Sequence, residues 1–224
     1  MIKNIIFDLC GPIITIDCGL IDKRFHELGI VEKHPYSLLV SSGLTKEFEC
    51  DEIDTPTFCN RVRELLNTSI SDTDICDAWN TLITDFPQKH IELLKKVRQH
   101  YKVFLLSNSD RVNADYFVEY LNRTAGFDFM GECFDEVFFS YQLRNRKPAP
   151  EVYRHIAQKH GLIPDETLVI DDRLKHCSGA EQAGMRSHHL LKYSDICHHF
   201  SQKGKWRNTQ YIADLVGWLV LLFG

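Results

Sequence analysis

Residues Asn4 to Thr15 read NIIFDLCGPIIT: a short apolar run, Ile5-Ile6-Phe7, stops on a carboxylate, Asp8, and Gly11 follows before the next apolar run. Core formation alone does not explain an acid there, because burying a charge without a partner is costly. The pattern recurs along the chain. Val103-Phe104-Leu105-Leu106 is followed by Ser107 and Asn108, Val137-Phe138-Phe139 at some distance by Lys147, and Leu168-Val169-Ile170 by Asp171 and Asp172. With His189-Leu190-Leu191, these runs are short and apolar, as strands buried on both faces of a parallel sheet are.

Amphipathic helical patterns separate several of the runs. Ile91, Leu94 and Val97 share one face, as do Phe117, Tyr120 and Leu121, then Val152, His155 and Ile156, and finally Ala180 and Ala183. Alternation of strand and helix argues an α/β fold with a doubly wound parallel sheet. Residues 17–86 break that rhythm. They hold helical patterns over Leu20 to Leu28, Thr57 to Leu66 (behind Pro56) and Thr73 to Ile83, and no convincing strand. The expected organisation is therefore an α/β catalytic core over 1–16 and 87–200, an all-helical insert over 17–86, and a C-terminal tail over 201–224. The tail segment LVGWLVLLF, Leu215 to Phe223, is well short of the ~20 apolar residues a spanning helix needs. It is expected to dock on a core or a partner, not to anchor in a membrane.

Bulk charge narrows the function classes. A formal net charge of −5, with 31 acids against 26 bases, argues against a nucleic-acid partner. The short apolar start, broken by Asp8, does not read as a signal peptide. Eight scattered cysteines without a CxxC pair are expected as reduced thiols in a cytoplasmic protein. His176 beside Cys177, and Cys197-His198-His199, do not have the spacing of a tetrahedral zinc site.

In open α/β sheets, ligands bind beyond the carboxyl ends of the strands. The groups that follow the apolar runs then meet in one crevice: two sets of acids, a hydroxyl, an amide and an ammonium. A carboxylate at a strand end serves as nucleophile or as metal ligand. A second acid beside it needs a cation between them, and Mg²⁺ suits a site of few carboxylates, waters and a phosphate. With Lys147 and Ser107 holding an anionic substrate, the set suits phosphoryl transfer on a small-molecule phosphate.

These motifs, taken in order, resemble those of the haloacid dehalogenase (HAD) superfamily over residues 1 to about 195. The first is Asp8-Leu9-Cys10-Gly11-Pro12, where the family has D-x-D-G-[TV]. The second is LLSNS with Ser107, the third Arg146-Lys147-Pro148-Ala149-Pro150, and the fourth VIDD followed by SGAEQAGM. The helical insert resembles a cap of the C1 type, and Ala78-Trp79-Asn80 with LLSNS looks like the branch holding sugar-phosphate phosphatases. The resemblance implies a Rossmannoid core with a helical cap, and Asp8 as the nucleophile that forms an aspartyl-phosphate. It implies Ser107 on the phosphoryl oxygens and Lys147 paired with nucleophile and phosphate. Leu9 and Asn108 would bind substrate. The implied metal set is Asp8, the backbone carbonyl of Cys10, Asp172 as direct ligand, and Asp171 behind it or through water. Arg24, His26 and Lys46 are the cap candidates for reaching substrate, and a homo-oligomer is compatible with the pattern.

Three positions depart from the family. Cys10 stands where an acid protonates the leaving oxygen and activates water, Pro12 where Thr or Val is usual, and His176 where Asp or Asn is usual. A thiol with an ordinary pKa of ~8.5 is a weak donor at neutral pH. Three expectations follow: a phosphatase whose acid–base work is done by another group; a catalytically weak or non-enzymatic binding or regulatory protein on the same scaffold; or a dehalogenase-like hydrolase, which the DD pair argues against.

Overall fold

The computed structural model describes residues 1–191 and 194–207. The chain opens with β1 (Asn4–Phe7) and a short β2 (Thr15–Ile16). Five helices come next: α1 (Gly19–Glu27), α2 (Pro35–Ser41), α3 (Leu44–Glu49), α4 (Thr55–Leu66) and α5 (Asp72–Trp79). A 3₁₀ turn over Asn80–Leu82 leads to β3 (Ile83–Asp85). The remainder alternates: α6 (Gln88–Val97), β4 (Lys102–Ser107), α7 (Arg111–Ala125), α8 (Phe129–Cys133), β5 (Glu136–Phe139), α9 (Ser140–Leu143), α10 (Pro150–His160), β6 (Thr167–Asp171), α11 (Leu174–Gln182) and β7 (Arg186–His189).

Five strands form one parallel sheet in the order β5-β4-β1-β6-β7. The central strand β1 pairs Phe7 with Leu105 of β4 and with Ile170 of β6. That register sets Asp8 and Asp171 level at the sheet's carboxyl edge, with Ser107 one residue further along β4. Buried side chains fill both faces, Ile5, Phe7 and Val103 on one and Ile6, Phe104 and Val169 on the other. The sheet is thus the doubly wound α/β core expected from the apolar runs.

The span from Gly19 to Trp79 holds five helices and no strand. Its interior is aromatic: Phe48 stacks on Phe58 at 4.1 Å, and Trp79 lies 5.2 Å from Phe58 and 5.8 Å from Tyr36. Asp54 caps α4 by accepting from the Thr57 N–H, and Pro56 sits in the first turn, where its missing N–H is harmless. Trp79 also ties this unit to the core. Its indole N–H donates to the buried Asp110 carboxylate at 2.8 Å, and Asp110 caps α7.

Three expectations need correction. The helix foreseen over Thr73 to Ile83 ends at Trp79, and Ile83–Asp85 pairs antiparallel with Thr15–Ile16. This ribbon joins the helical insert to the core; segments of two and three residues carry no readable periodicity. The fifth strand runs over Arg186–His189, one step before the apolar pair. As an edge strand it does not need an apolar run; Leu190 caps the sheet end as a buried residue and Leu191 is exposed. On α10, Tyr153 takes the buried place expected of His155, which is exposed. The apolar segment Leu215 to Phe223 lies outside the described residues. No helix among the described residues is long and apolar enough to cross a membrane.

Candidate active site

Asp8 follows β1 directly, and its N–H continues the ladder to the Ile170 carbonyl at 2.9 Å. Its carboxylate accepts the Leu9 N–H at 2.7 Å and lies 2.9 Å from the Lys147 ammonium. Lys147 is 1% exposed and also bonds Asp171 at 2.7 Å. Two elements hold the lysine loop. Asn108, one residue past β4, donates to the Lys147 carbonyl at 3.0 Å and accepts its N–H at 2.9 Å. Behind it Gly179 of α11 allows close approach: a Cβ there would sit 2.0 Å from the Pro148 carbonyl oxygen.

Asp171 and Asp172 are sequence neighbours with different surroundings. Asp171 ends β6, fully buried, and is saturated by Lys147, by the Arg173 N–H at 2.9 Å and by the His176 ring at 2.9 and 3.0 Å. Asp172 is exposed and faces the β1 loop. A Cβ on Gly11, whose φ is +100°, would lie 2.7 Å from the Asp172 carboxyl carbon. Only glycine therefore lets this carboxylate rest against the loop that carries Asp8 and Cys10.

The electrostatics follow from burial and crowding. Burial, then the nearby charge of Asp171, pushes Asp8 up to about 7, against the opposing pull of Lys147. Burial alone would raise Asp171 too, but Lys147 and His176 outweigh it and hold that carboxyl well below the usual range. Lys147 keeps its proton despite burial because two carboxylates face it. Burial, then the charge of Asp8, drives the Cys10 thiol well above its ordinary value. His176 is lowered by burial, and its Nε2 is buried without a hydrogen-bond partner.

Asp8, Cys10, Ser107, Asn108 and Asp172 all line one cavity of about 210 Å³. The helical insert closes it with Tyr36, Thr45, Lys46 and Glu49. Asp8, Cys10 and Asp172 share this cavity with the acid Glu49 and the cations Lys46, Arg146, Arg173 and Lys175. The carboxylate oxygens of Asp8 and Asp172 are donors of the kind a hard divalent cation takes.

Several expected roles change in the structure. Leu9 is fully buried in the core, so its side chain faces no substrate; what it offers is the N–H on Asp8. Asn108 lines the cavity, but both polar ends of its amide are taken by the Lys147 main chain. Asp171 is not among the cavity residues, and its oxygens accept from Lys147, His176 and Arg173, while ligand atoms of Asp8, Asp171 and His176 all lie within 4.8 Å of one another. Of the three insert candidates only Lys46 reaches the cavity. Arg24 bonds Glu27, and His26 bonds the Glu32 carbonyl. Glu49, Tyr36 and Arg173 line the cavity without any motif in the sequence that marks them. Arg146 had a signal, its place beside Lys147, but its partner did not: it lies 2.7 Å from Glu49.

A sequence model of the haloacid dehalogenase-like hydrolases matches residues 73–184, half of the chain. The chain belongs to that family. It is a HAD-like hydrolase, an enzyme by descent as well as by the layout of its strand ends. A D-ribitol-5-phosphate phosphatase from Bacteroides thetaiotaomicron is 27% identical over 173 residues, 77% of this chain and 84% of that protein. A HAD family enzyme from the same organism, solved with magnesium and inorganic phosphate, superposes with a TM-score of 0.82 at 28% identity, covering 90% of this chain and 100% of its own. An L-2-haloacid dehalogenase from Xanthobacter autotrophicus shares the fold alone, with a TM-score of 0.58 at 19% identity over 91% of this chain and 80% of that one.

Proposed function

We propose that this HAD-like hydrolase is a Mg²⁺-dependent phosphomonoesterase of a small-molecule phosphate, with Asp8 as its nucleophile. The observation that carries the reading is the buried lysine bridge: Lys147 holds Asp8 at 2.9 Å, and Asp8 lines one cavity with Ser107 and Asp172. Support also comes from relatives named as a D-ribitol-5-phosphate phosphatase and as an enzyme bound to magnesium and phosphate. A cavity of about 210 Å³ with a polar rim suits a short sugar or polyol phosphate.

Residues 17–86 act as the cap and residues 1–16 and 87–200 as the catalytic core. Asp8, the Cys10 carbonyl and Asp172 would hold the cation, with Asp171 behind Lys147. Bound there, Mg²⁺ supplies positive charge that offsets the carboxylates and the phosphoryl oxygens. Lys147 and the Ser107 hydroxyl hold those oxygens and fix the phosphorus in line with Asp8. An Asp8 oxygen attacks phosphorus, the ester oxygen leaves with a proton, and water then releases phosphate and restores the carboxylate. Because the Cys10 thiol is driven up by burial and by Asp8, it is a poor proton donor for the ester oxygen.

A panel of sugar, polyol and aryl phosphates, assayed with and without Mg²⁺ beside Asp8→Asn, tests the reading. Metal-dependent phosphate release that Asp8→Asn lowers by at least ~10³-fold is expected. Halide release without metal, or turnover that survives Asp8→Asn, would overturn it.

A further inference from the structure

The reaction just described needs a proton twice. An alkoxide leaves an alkyl phosphate poorly unless protonated, and water attacks poorly unless it loses a proton. The residues lining the cavity offer few candidates. Asp8 is committed to phosphorus and Asp172 to the cation. A thiol such as Cys10 is a weak hydrogen-bond donor, and burial and the neighbouring Cys18 make the Tyr36 phenol a poor acid. His176 Nδ1 lies 2.9 Å from Asp171, so the proton it carries there faces that carboxylate and not a leaving oxygen, and its Nε2 is buried without a partner.

One carboxyl remains. Resting on the reading of Asp8 as nucleophile, we propose that Glu49, carried by the insert at the C-terminal end of α3, is the catalytic acid and base. Its side chain is 18% exposed and lines the same cavity as Asp8, Ser107 and Asp172; its Oε2 is buried without a hydrogen-bond partner, with the Arg146 guanidinium 2.7 Å away as an ion pair. Arg146 precedes Lys147 directly, so the segment that bridges the nucleophile also steers the acid. Burial pushes Glu49 up to about 7, against the pull of Arg146, Arg173 and Lys147 and with the push of Asp110. It is thus divided between its two protonation states near neutral pH, as a group that must both give and take a proton should be.

The steps balance. As the Asp8 oxygen bonds to phosphorus and the P–O(ester) bond breaks, the Glu49 carboxylic acid gives its proton to the ester oxygen and the alcohol departs. The Glu49 carboxylate then takes a proton from water as the water oxygen bonds to phosphorus and the bond to Asp8 breaks. Phosphate leaves, Asp8 is again a carboxylate and Glu49 again an acid. Because Glu49 belongs to the insert, full catalysis requires the insert to lie over the core.

Glu49→Gln keeps the shape and a hydrogen-bonding oxygen but carries no transferable proton. In the full-length protein with Mg²⁺, kcat/KM for a polyol phosphate should fall by ~10²–10⁴-fold, the usual worth of general acid–base catalysis. For p-nitrophenyl phosphate, whose leaving group needs no proton, kcat/KM should fall by less than ~10-fold, while slow phosphoenzyme hydrolysis gives a burst of about one nitrophenol per enzyme. Adding Cys10→Asp to Glu49→Gln should restore most of the polyol rate. Equal losses on both substrates, an unchanged polyol rate, or no rescue by Cys10→Asp would overturn the assignment, and matched circular dichroism excludes misfolding as the cause. Trapping phosphate on wild-type Asp8 by acid quench keeps the two readings apart. If no phosphoenzyme forms, the nucleophile assignment fails; if one forms and Glu49→Gln behaves like wild type, only the acid–base assignment fails.

Discussion

Replacing Lys147 with methionine is the most direct probe of the buried bridge. The ammonium is 1% exposed and sits 2.9 Å from Asp8 and 2.7 Å from Asp171, two carboxylates with little solvent of their own. Removing one partner of a buried ion pair costs roughly 3–5 kcal/mol, because the remaining charge is left uncompensated. At ~2–4 °C per kcal/mol for a chain of this size, the melting temperature at pH 8 should drop by ~6–20 °C in metal-free buffer. The loss should depend on pH, and its sign follows from Asp8. The folded-state pKa of Asp8, about 7, already lies above its unfolded value, and Lys147 is among the groups that lower it. Without Lys147 it rises further. A carboxyl raised on folding adds no penalty below its unfolded pKa of ~4 and its full penalty above the folded value. At pH 5.5 a proton covers Asp8 while Asp171 keeps His176, so the deficit should shrink to about half its pH 8 value. Thermal melts of wild type and Lys147→Met at the two pH values measure this. An equal deficit at pH 5.5 and pH 8 would show that the lost energy is packing and not charge, and would refute the electrostatic account of the bridge.

Two further substitutions test how the site is held in place. Gly11→Ala puts a Cβ 2.7 Å from the Asp172 carboxyl carbon at a φ of +100°, which should weaken Mg²⁺ binding by at least ~10-fold in calorimetry and cost about 1–3 kcal/mol in backbone strain; unchanged Mg²⁺ affinity would mean Asp172 is not a ligand. Trp79→Phe leaves the buried Asp110 carboxylate without the 2.8 Å indole donor, so chemical denaturation should show a loss of roughly 1–3 kcal/mol, whereas an unchanged midpoint would mean the insert does not depend on that tie.

Much of the chemistry is written in the order of residues. Buried strands must be short and apolar, so a carboxylate after Phe7, a hydroxyl after Leu106 and a pair of acids after Ile170 stand out, and parallel pairing sends all three to one edge. Those positions, and the helical break over 17–86, are visible in one dimension because each depends on local pattern. The ribbon of Thr15–Ile16 with Ile83–Asp85 is not, since two or three residues have no period to detect. Nor is the division of labour between Asp171 and Asp172. Successive residues at a strand end point to opposite sides, so one carboxylate is sealed against Lys147 and the other lies over Gly11, a distinction that the letters DD do not contain. Glu49 and Arg146 are 97 positions apart, and only packing of α3 against the lysine loop brings them within 2.7 Å. Contacts that close over such separations are selected by how the insert docks on the sheet. A local stretch of sequence specifies its own element, whereas the partner each side chain meets is chosen by the assembled fold.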